Sequence, residues 1–126
     1  MNLKPQLKIK IQIHCGDEIA IGPGKADLLD AIREHGSISA AGRAMNMSYR
    51  RAWLLVDAMN RCWDAPLVHT APGRAKGSGA QLTQLGEQVL SHYRALQQTL
   101  EHAAQSEHYT ALAQQLLPEP KISQKA

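Results

Sequence analysis

The chain has 126 residues, 44% of them hydrophobic and 20% charged, which is enough for one globular domain with its own core and an added arm. No apolar run is long enough to cross a bilayer, and the alternating residues from Met1 to Lys10 lack the continuous apolar stretch of a signal peptide, so a cytoplasmic protein with no membrane partner is expected. The net charge of +3 is distributed unevenly: Arg43, Arg50, Arg51, Arg61, Arg74 and Lys76 crowd the middle third, opposed there only by Asp57 and Asp64. Clustered basicity of this kind is the electrostatic footprint of a nucleic-acid surface.

Leu7, Ile9, Ile11 and Ile13 alternate with Lys8, Lys10, Gln12 and His14, the period of a half-buried strand. Cys15, Gly16 and Asp17 read as a turn, and Ile19 and Ile21 resume the alternation, so the opening is expected to be a β-hairpin. Gly22, Pro23 and Gly24 break it. From Lys25 to His35 the pattern is helical, with Leu28, Leu29 and Ile32 on one face and Gly36 as a left-handed terminator.

Ser37 or Ser39 can cap a short second helix through Met45, whose Ala40, Ala41 and Gly42 let another helix approach closely. Asn46 can take the left-handed conformation that a tight turn needs. Ser48 then caps a third helix to about Cys62, with Ala52, Leu55, Val56 and Met59 as its buried stripe and Trp53 anchoring one edge. Asp64, Ala65 and Pro66 end this run. Residues 67–70 and 81–82 are β-compatible and flank a Gly/Pro/Ser-rich stretch, 72–79, predicting a hairpin with a flexible tip carrying Arg74 and Lys76.

Thr83 can cap the last long helix. Leu85, Val89, Tyr93, Leu96, Leu100 and Ala103 follow 4-4-3-4-3 spacing, close to a coiled-coil seam. His108 to Leu117 can add one more helical piece, after which Pro118, Pro120 and a polar tail follow. The expected organisation is a DNA-binding domain over 1–82, a helical dimerisation arm over 83–117 and a flexible tail over 118–126. The fold class is mainly α with small β: a winged helix-turn-helix with an N-terminal hairpin and a long C-terminal dimerisation helix.

Two helices joined by Asn46-Met47-Ser48 make a helix-turn-helix, and the N-terminal end of its second helix is the part that enters a major groove. Arg50 and Arg51 there can bond the acceptors of guanine, Ser48 and Tyr49 can bond phosphate, and Arg43 on the preceding helix can meet the backbone. An arginine pair alone fits a solvated helix face better than a DNA contact. Here it follows a capped turn and precedes a basic hairpin, and that combination favours double-stranded DNA, with Arg74 and Lys76 reaching phosphates from the wing. The loop is no P-loop, because Gly73 is not followed by the GK[ST] ending. The seam residues Val89, Tyr93, Leu96, Leu100 and Ala103 are the candidates for homodimerisation. A two-fold dimer would set two recognition helices roughly 34–36 Å apart and predict an inverted-repeat operator.

No catalytic role is expected. His14 and Cys15 are strand neighbours pointing to opposite faces, and no nucleophile elbow, HExxH or metal-ligand spacing of histidines is present. No cofactor or metal is expected. Cys15 and Cys62 lie far apart in sequence, form no CxxC pair and read as packing cysteines in a reducing compartment.

Particular words of the sequence resemble the DNA-binding domain of the ModE family of molybdate-responsive regulators. They are Gly22-Pro23-Gly24-Lys25-Ala26-Asp27-Leu28-Leu29-Asp30-Ala31-Ile32, Gly36-Ser37-Ile38-Ser39-Ala40-Ala41, Met47-Ser48-Tyr49-Arg50-Arg51-Ala52-Trp53, Pro66-Leu67-Val68 and Ala80-Gln81-Leu82-Thr83-Gln84-Leu85-Gly86. LysR-type regulators share the architecture but match these words less well. The resemblance spans about residues 5 to 105 and implies a dimeric winged-helix transcription factor, with Ser48, Tyr49, Arg50 and Arg51 on DNA and Arg74 and Lys76 on the wing. Full-length ModE continues into molybdate-binding domains; this sequence ends at Ala126 and is expected to be a stand-alone DNA-binding part, with its effector unassigned. The alternative is a protein-interaction module that keeps the fold and pairs with another regulator.

Overall fold

The computed structural model describes residues 5–71 and 79–125. The expected wing-tip cations, Arg74 and Lys76, lie outside the described residues. In chain order the elements are β1 (Ile13–Cys15), β2 (Glu18–Ile21), α1 (Pro23–His35), α2 (Ile38–Ala44), α3 (Tyr49–Asn60), β3 (Val68–Ala71), β4 (Gly79–Leu82), α4 (Gln84–Ala103) and α5 (Glu107–Gln115). This is a winged helix-turn-helix with an N-terminal hairpin.

The first strand is shorter than its alternation implied. Leu7, Ile9 and Ile11 are half-buried and Lys8, Lys10 and Gln12 exposed, as period two requires. The ladder nevertheless begins only at Ile13, which faces Ile21. The reason is local: β2 ends at Ile21 because Gly22 and Pro23 open α1, so β1 has no partner further back. Gly16, at φ 59°, makes the turn. Proline is at home in a first helical turn, where no N–H is needed, and α1 therefore starts at Pro23 rather than Lys25. Gly36 ends it at φ 78°, donating its N–H to the Ile32 carbonyl at 2.8 Å.

Chain contacts divide the protein into two compact units. Lys10–Ala95 is the winged-helix unit, with a core of Leu28, Leu29 and Ile32 from α1, Ala41 from α2, Ala52, Val56 and Met59 from α3, Leu67, and Leu90 and Tyr93 from α4. This boundary differs from the expected division at 82/83. The first half of α4 belongs to the winged helix because Leu90 and Tyr93 are spent in its core, and the Tyr93 hydroxyl donates to the Ile11 carbonyl at 2.8 Å. Tyr93, placed by its spacing on a dimer seam, is only 3% exposed within the single chain. Trp53 is the converse: at 45% exposure it stands off the core edge expected of it, while Trp63 packs against the core.

Two close approaches tie α4 and the wing to the rest of this unit. The Thr83 hydroxyl donates to the Pro66 carbonyl at 2.7 Å and accepts the Gly86 N–H at 2.9 Å, capping α4. The Leu67 carbonyl, which accepts the Thr83 N–H at 2.9 Å, lies where a β-carbon on Gly86 would stand, 2.1 Å away. β3 and β4 pair antiparallel from Val68 with Leu82 to Ala71 with Gly79, and the Ala80 N–H donates to the Gly36 carbonyl.

The second unit joins the described residues up to Ile9 with those from Leu96 onward. Ser106 caps α5, and the Tyr109 hydroxyl donates to the Pro5 carbonyl at 3.1 Å. Its leucines are largely uncovered: Leu96 and Leu100 are each 37% exposed, and Leu112, Leu116 and Leu117 are 68%, 61% and 55% exposed.

Candidate nucleic-acid interface

The interface begins with the turn between α2 and α3. The Ser37 hydroxyl accepts the Ala40 N–H at 3.0 Å, so Ser37 rather than Ser39 caps α2. Asn46 sits at φ 59° and the Met47 N–H returns to the Gly42 carbonyl at 2.9 Å. A β-carbon on Gly42 would lie 3.2 Å from the Ala52 methyl, so the missing side chain is what lets α2 and α3 cross this closely. Ser48, in extended conformation, accepts the Arg51 N–H at 3.1 Å and starts α3. Ala52, Val56 and Met59 face the core, which leaves the other side of the helix outward.

That outward side carries Tyr49, Arg50, Arg51, Trp53 and Leu54, all exposed. Tyr49 and Trp53 are one turn apart on the same face. The first free N–H groups of α3 and its dipole add partial positive charge beside the two guanidinium groups.

The arginines separate into two kinds. Arg33 bridges Asp30 at 2.7 Å and Glu87 at 2.9 Å. Arg94 reaches from α4 to Asp27 and Asp30 on α1. Partial burial works against its charge, but the bonds to Asp30 and Asp27 outweigh this and raise its pKa. Arg61 lies between Glu18 at 2.7 Å and Asp57 at 2.9 Å, and its hydrogen bonds to those carboxylates, Glu18 first, push its pKa up further. Arg61 is thus removed from the basic cluster that the sequence suggested; its charge is neutralised by a partner on the hairpin. Among the described residues Arg43 donates only to the Ser39 hydroxyl, at 2.9 Å. Arg50 and Arg51 make no side-chain hydrogen bond or ion pair among the described residues.

Asn60 has a positioning role that the sequence reading missed. Its Oδ1 accepts the Leu67 and Val68 N–H groups at 2.9 and 3.1 Å, and its Nδ2 donates to the Val68 carbonyl at 3.1 Å. One side chain at the end of α3 therefore stands in for a strand and fixes where the wing leaves. Nothing in its sequence neighbourhood signals this, because its partners become adjacent only after the Asp64–Pro66 turn. Among the described residues, no group of three His, Cys, Asp or Glu side chains is placed to hold a metal ion, and no helix is long and apolar enough to cross a membrane.

A helix-turn-helix with unpaired cations at the start of its second helix, followed by a β-hairpin wing, is the architecture of a winged-helix DNA-binding domain. Residues 25–87 match the profile of the bacterial regulatory helix-turn-helix proteins of the lysR family, and the chain belongs to that family. It is similar to the molybdenum-pterin-binding protein MopB of Rhodobacter capsulatus, 46% identical over 77 residues, covering 61% of this chain and 28% of that protein. It is similar also to the transcriptional regulator ModE of Haemophilus influenzae, 35% identical over 102 residues, 81% of this chain and 38% of that protein. The DNA-binding transcriptional dual regulator ModE of Escherichia coli is 31% identical over 98 residues, 78% of this chain and 37% of that protein. The N-terminal domain is therefore ModE-like, and the chain spans about a third of the length of these curated relatives.

Proposed function

We propose that the chain is a sequence-specific regulator of transcription that binds double-stranded DNA as a homodimer on an inverted repeat. The observation that carries this reading is the contrast among arginines. Arg33, Arg61 and Arg94 are consumed by carboxylates, while Arg50 and Arg51, at the capped start of α3, keep their donors available. In this reading α3 lies in the major groove with Arg50 and Arg51 on base edges, Ser48 and Tyr49 on phosphate, and Arg43 on the flanking backbone. Arg74 and Lys76 follow the backbone from the wing. The uncovered leucines Leu96, Leu100, Leu112, Leu116 and Leu117 support pairing of two chains through the C-terminal unit. Val89, half-buried against the core, and Tyr93 contribute by shaping the chain that carries them.

The test is selection of bound duplexes from a random DNA pool at near-physiological salt, where non-specific complexes fade and specific ones persist. An enriched inverted repeat is the expected result. Arg50→Ala or Arg51→Ala should each weaken binding to it by roughly 5- to 150-fold, the equivalent of about 1–3 kcal/mol, with the fold intact. No enrichment by a folded chain, or unchanged selectivity in both variants, would refute this assignment and favour a module that acts through another regulator.

A further inference from the structure

Cys15 and Cys62 are distant in sequence, yet the fold brings them to one place. The residues on either side of Cys62 are each bonded to the N-terminal hairpin. Arg61 meets the Glu18 carboxylate at 2.7 Å, and the Trp63 indole N–H donates to the Ala20 carbonyl at 3.4 Å. Glu18 is the residue that faces Cys15 across the β1–β2 ladder. At that junction the Cys15 thiol lies near enough to Cys62 to influence its proton. Cys15 is exposed and Cys62 half-buried. Desolvation, and then the neighbouring Cys15 thiol, raise the Cys62 pKa above its ordinary value. This replaces the expectation of two unrelated packing cysteines.

We propose that Cys15 and Cys62 form a modification site, a dithiol that hydrogen peroxide converts into an intramolecular disulfide tying β1 to the segment behind α3. The exposed Cys15 sulfur, as thiolate, attacks one peroxide oxygen. An S–O bond forms, the O–O bond breaks, and the departing hydroxide takes a proton and leaves as water. The Cys62 sulfur then attacks the Cys15 sulfenic acid; the S–S bond forms, the S–O bond breaks, and the Cys62 proton leaves with the second water. Two thiols lose two electrons and one peroxide becomes two waters. The two sulfurs would close to a bond of about 2.05 Å between segments that the Arg61–Glu18 and Trp63–Ala20 bonds already hold together.

The closed loop would contain α1, α2 and all of α3. The cross-link therefore restricts the unfolded chain and raises stability, while Ser48 to Arg51, at the opposite end of α3, are left as they are. The site is independent of whether the chain binds DNA.

The 126-residue chain, treated with one equivalent of hydrogen peroxide, is to be followed by intact mass, non-reducing peptide mapping and thermal melting. The expected product is a single chain lighter by two hydrogens, with a Cys15–Cys62 peptide, melting roughly 5–15 °C higher and restored by dithiothreitol. In Cys62→Ser, oxidation should instead end at Cys15 as sulfinic acid or as a disulfide between chains. A parent protein that gives those same products, or a linked protein that melts no higher than the reduced one, would overturn the proposal.

Discussion

Replacing Gly86 by alanine should damage the protein far more than its place in a helix suggests. The new β-carbon would stand 2.1 Å from the Leu67 carbonyl oxygen and 3.0 Å from its carbon. Ordinary contact requires about 1 Å or more of retreat. Neither side can give way cheaply. The Leu67 N–H is held by Asn60 at 2.9 Å, its carbonyl accepts the Thr83 N–H at 2.9 Å, and its side chain is fully buried. On the other side, the Gly86 N–H is the one that the Thr83 cap satisfies. Relief therefore costs about 1 kcal/mol for the strained or broken Thr83–Leu67 bond and about 1 kcal/mol for the cap. Residual overpacking adds about 1–3 kcal/mol. Against this stands a gain of at most about 1 kcal/mol in helix propensity. The net loss is about 2–4 kcal/mol, a fall in melting temperature of roughly 8–20 °C for a chain of this size.

The control is Gly24→Ala in the first turn of α1, where a β-carbon meets nothing within 4 Å. That variant should be neutral or more stable by up to about 1 kcal/mol. Thermal unfolding followed by circular dichroism compares the two directly. A Gly86→Ala protein that melts within about 2 °C of the parent, or a Gly24→Ala protein that loses as much, would refute the close-approach argument.

Asn60→Ala removes the acceptor for two N–H groups and the donor to the Val68 carbonyl. It should cost about 2–3 kcal/mol in a chemical denaturation curve, and Asn60→Asp, which keeps the acceptor but loses the donor, should cost less. Tyr93→Phe leaves the half-buried Ile11 carbonyl without its donor, a loss of about 1 kcal/mol at neutral pH. Burial raises the Tyr93 pKa, so the folded chain keeps a proton that the unfolded chain releases near pH 10. The Tyr93 contribution is complete below about pH 10 and is lost as pH rises through the higher folded value; the phenylalanine variant should lack that component of alkaline destabilisation. Leu96→Glu combined with Leu100→Glu should leave the melting of the winged-helix unit nearly unchanged while converting the proposed dimer to monomer in sedimentation. A dimer that survives both charges would remove the C-terminal unit from the proposed pairing.

The local grammar of the chain was legible from its residues. The caps at Ser48 and Thr83, the left-handed Asn46 and Gly36, and the stripe Ala52, Leu55, Val56 and Met59 all appear where backbone and side-chain chemistry put them. Each depends on partners three to seven positions away, so short-range spacing suffices to find it. The apolar run of α4 was legible as a helix but not as two surfaces. Its spacing does not distinguish Tyr93, sealed in the core, from Leu96, left outside.

Tertiary structure decided which charges are free. Arg61 lies among the clustered cations in sequence, and only the arrival of Glu18, forty-three positions earlier, removes it from the surface available to an anion. Arg33 and Arg94 likewise find carboxylates fifty-four to sixty-seven positions away, as Cys62 finds Cys15 across the hairpin. Periodicity reports the face on which a side chain stands; it carries no information about what the folded chain brings to that face from far along the sequence. The candidate surface at Arg50 and Arg51 is thus set apart once pairing has consumed Arg33, Arg61 and Arg94, a subtraction that becomes possible only once the helices are packed.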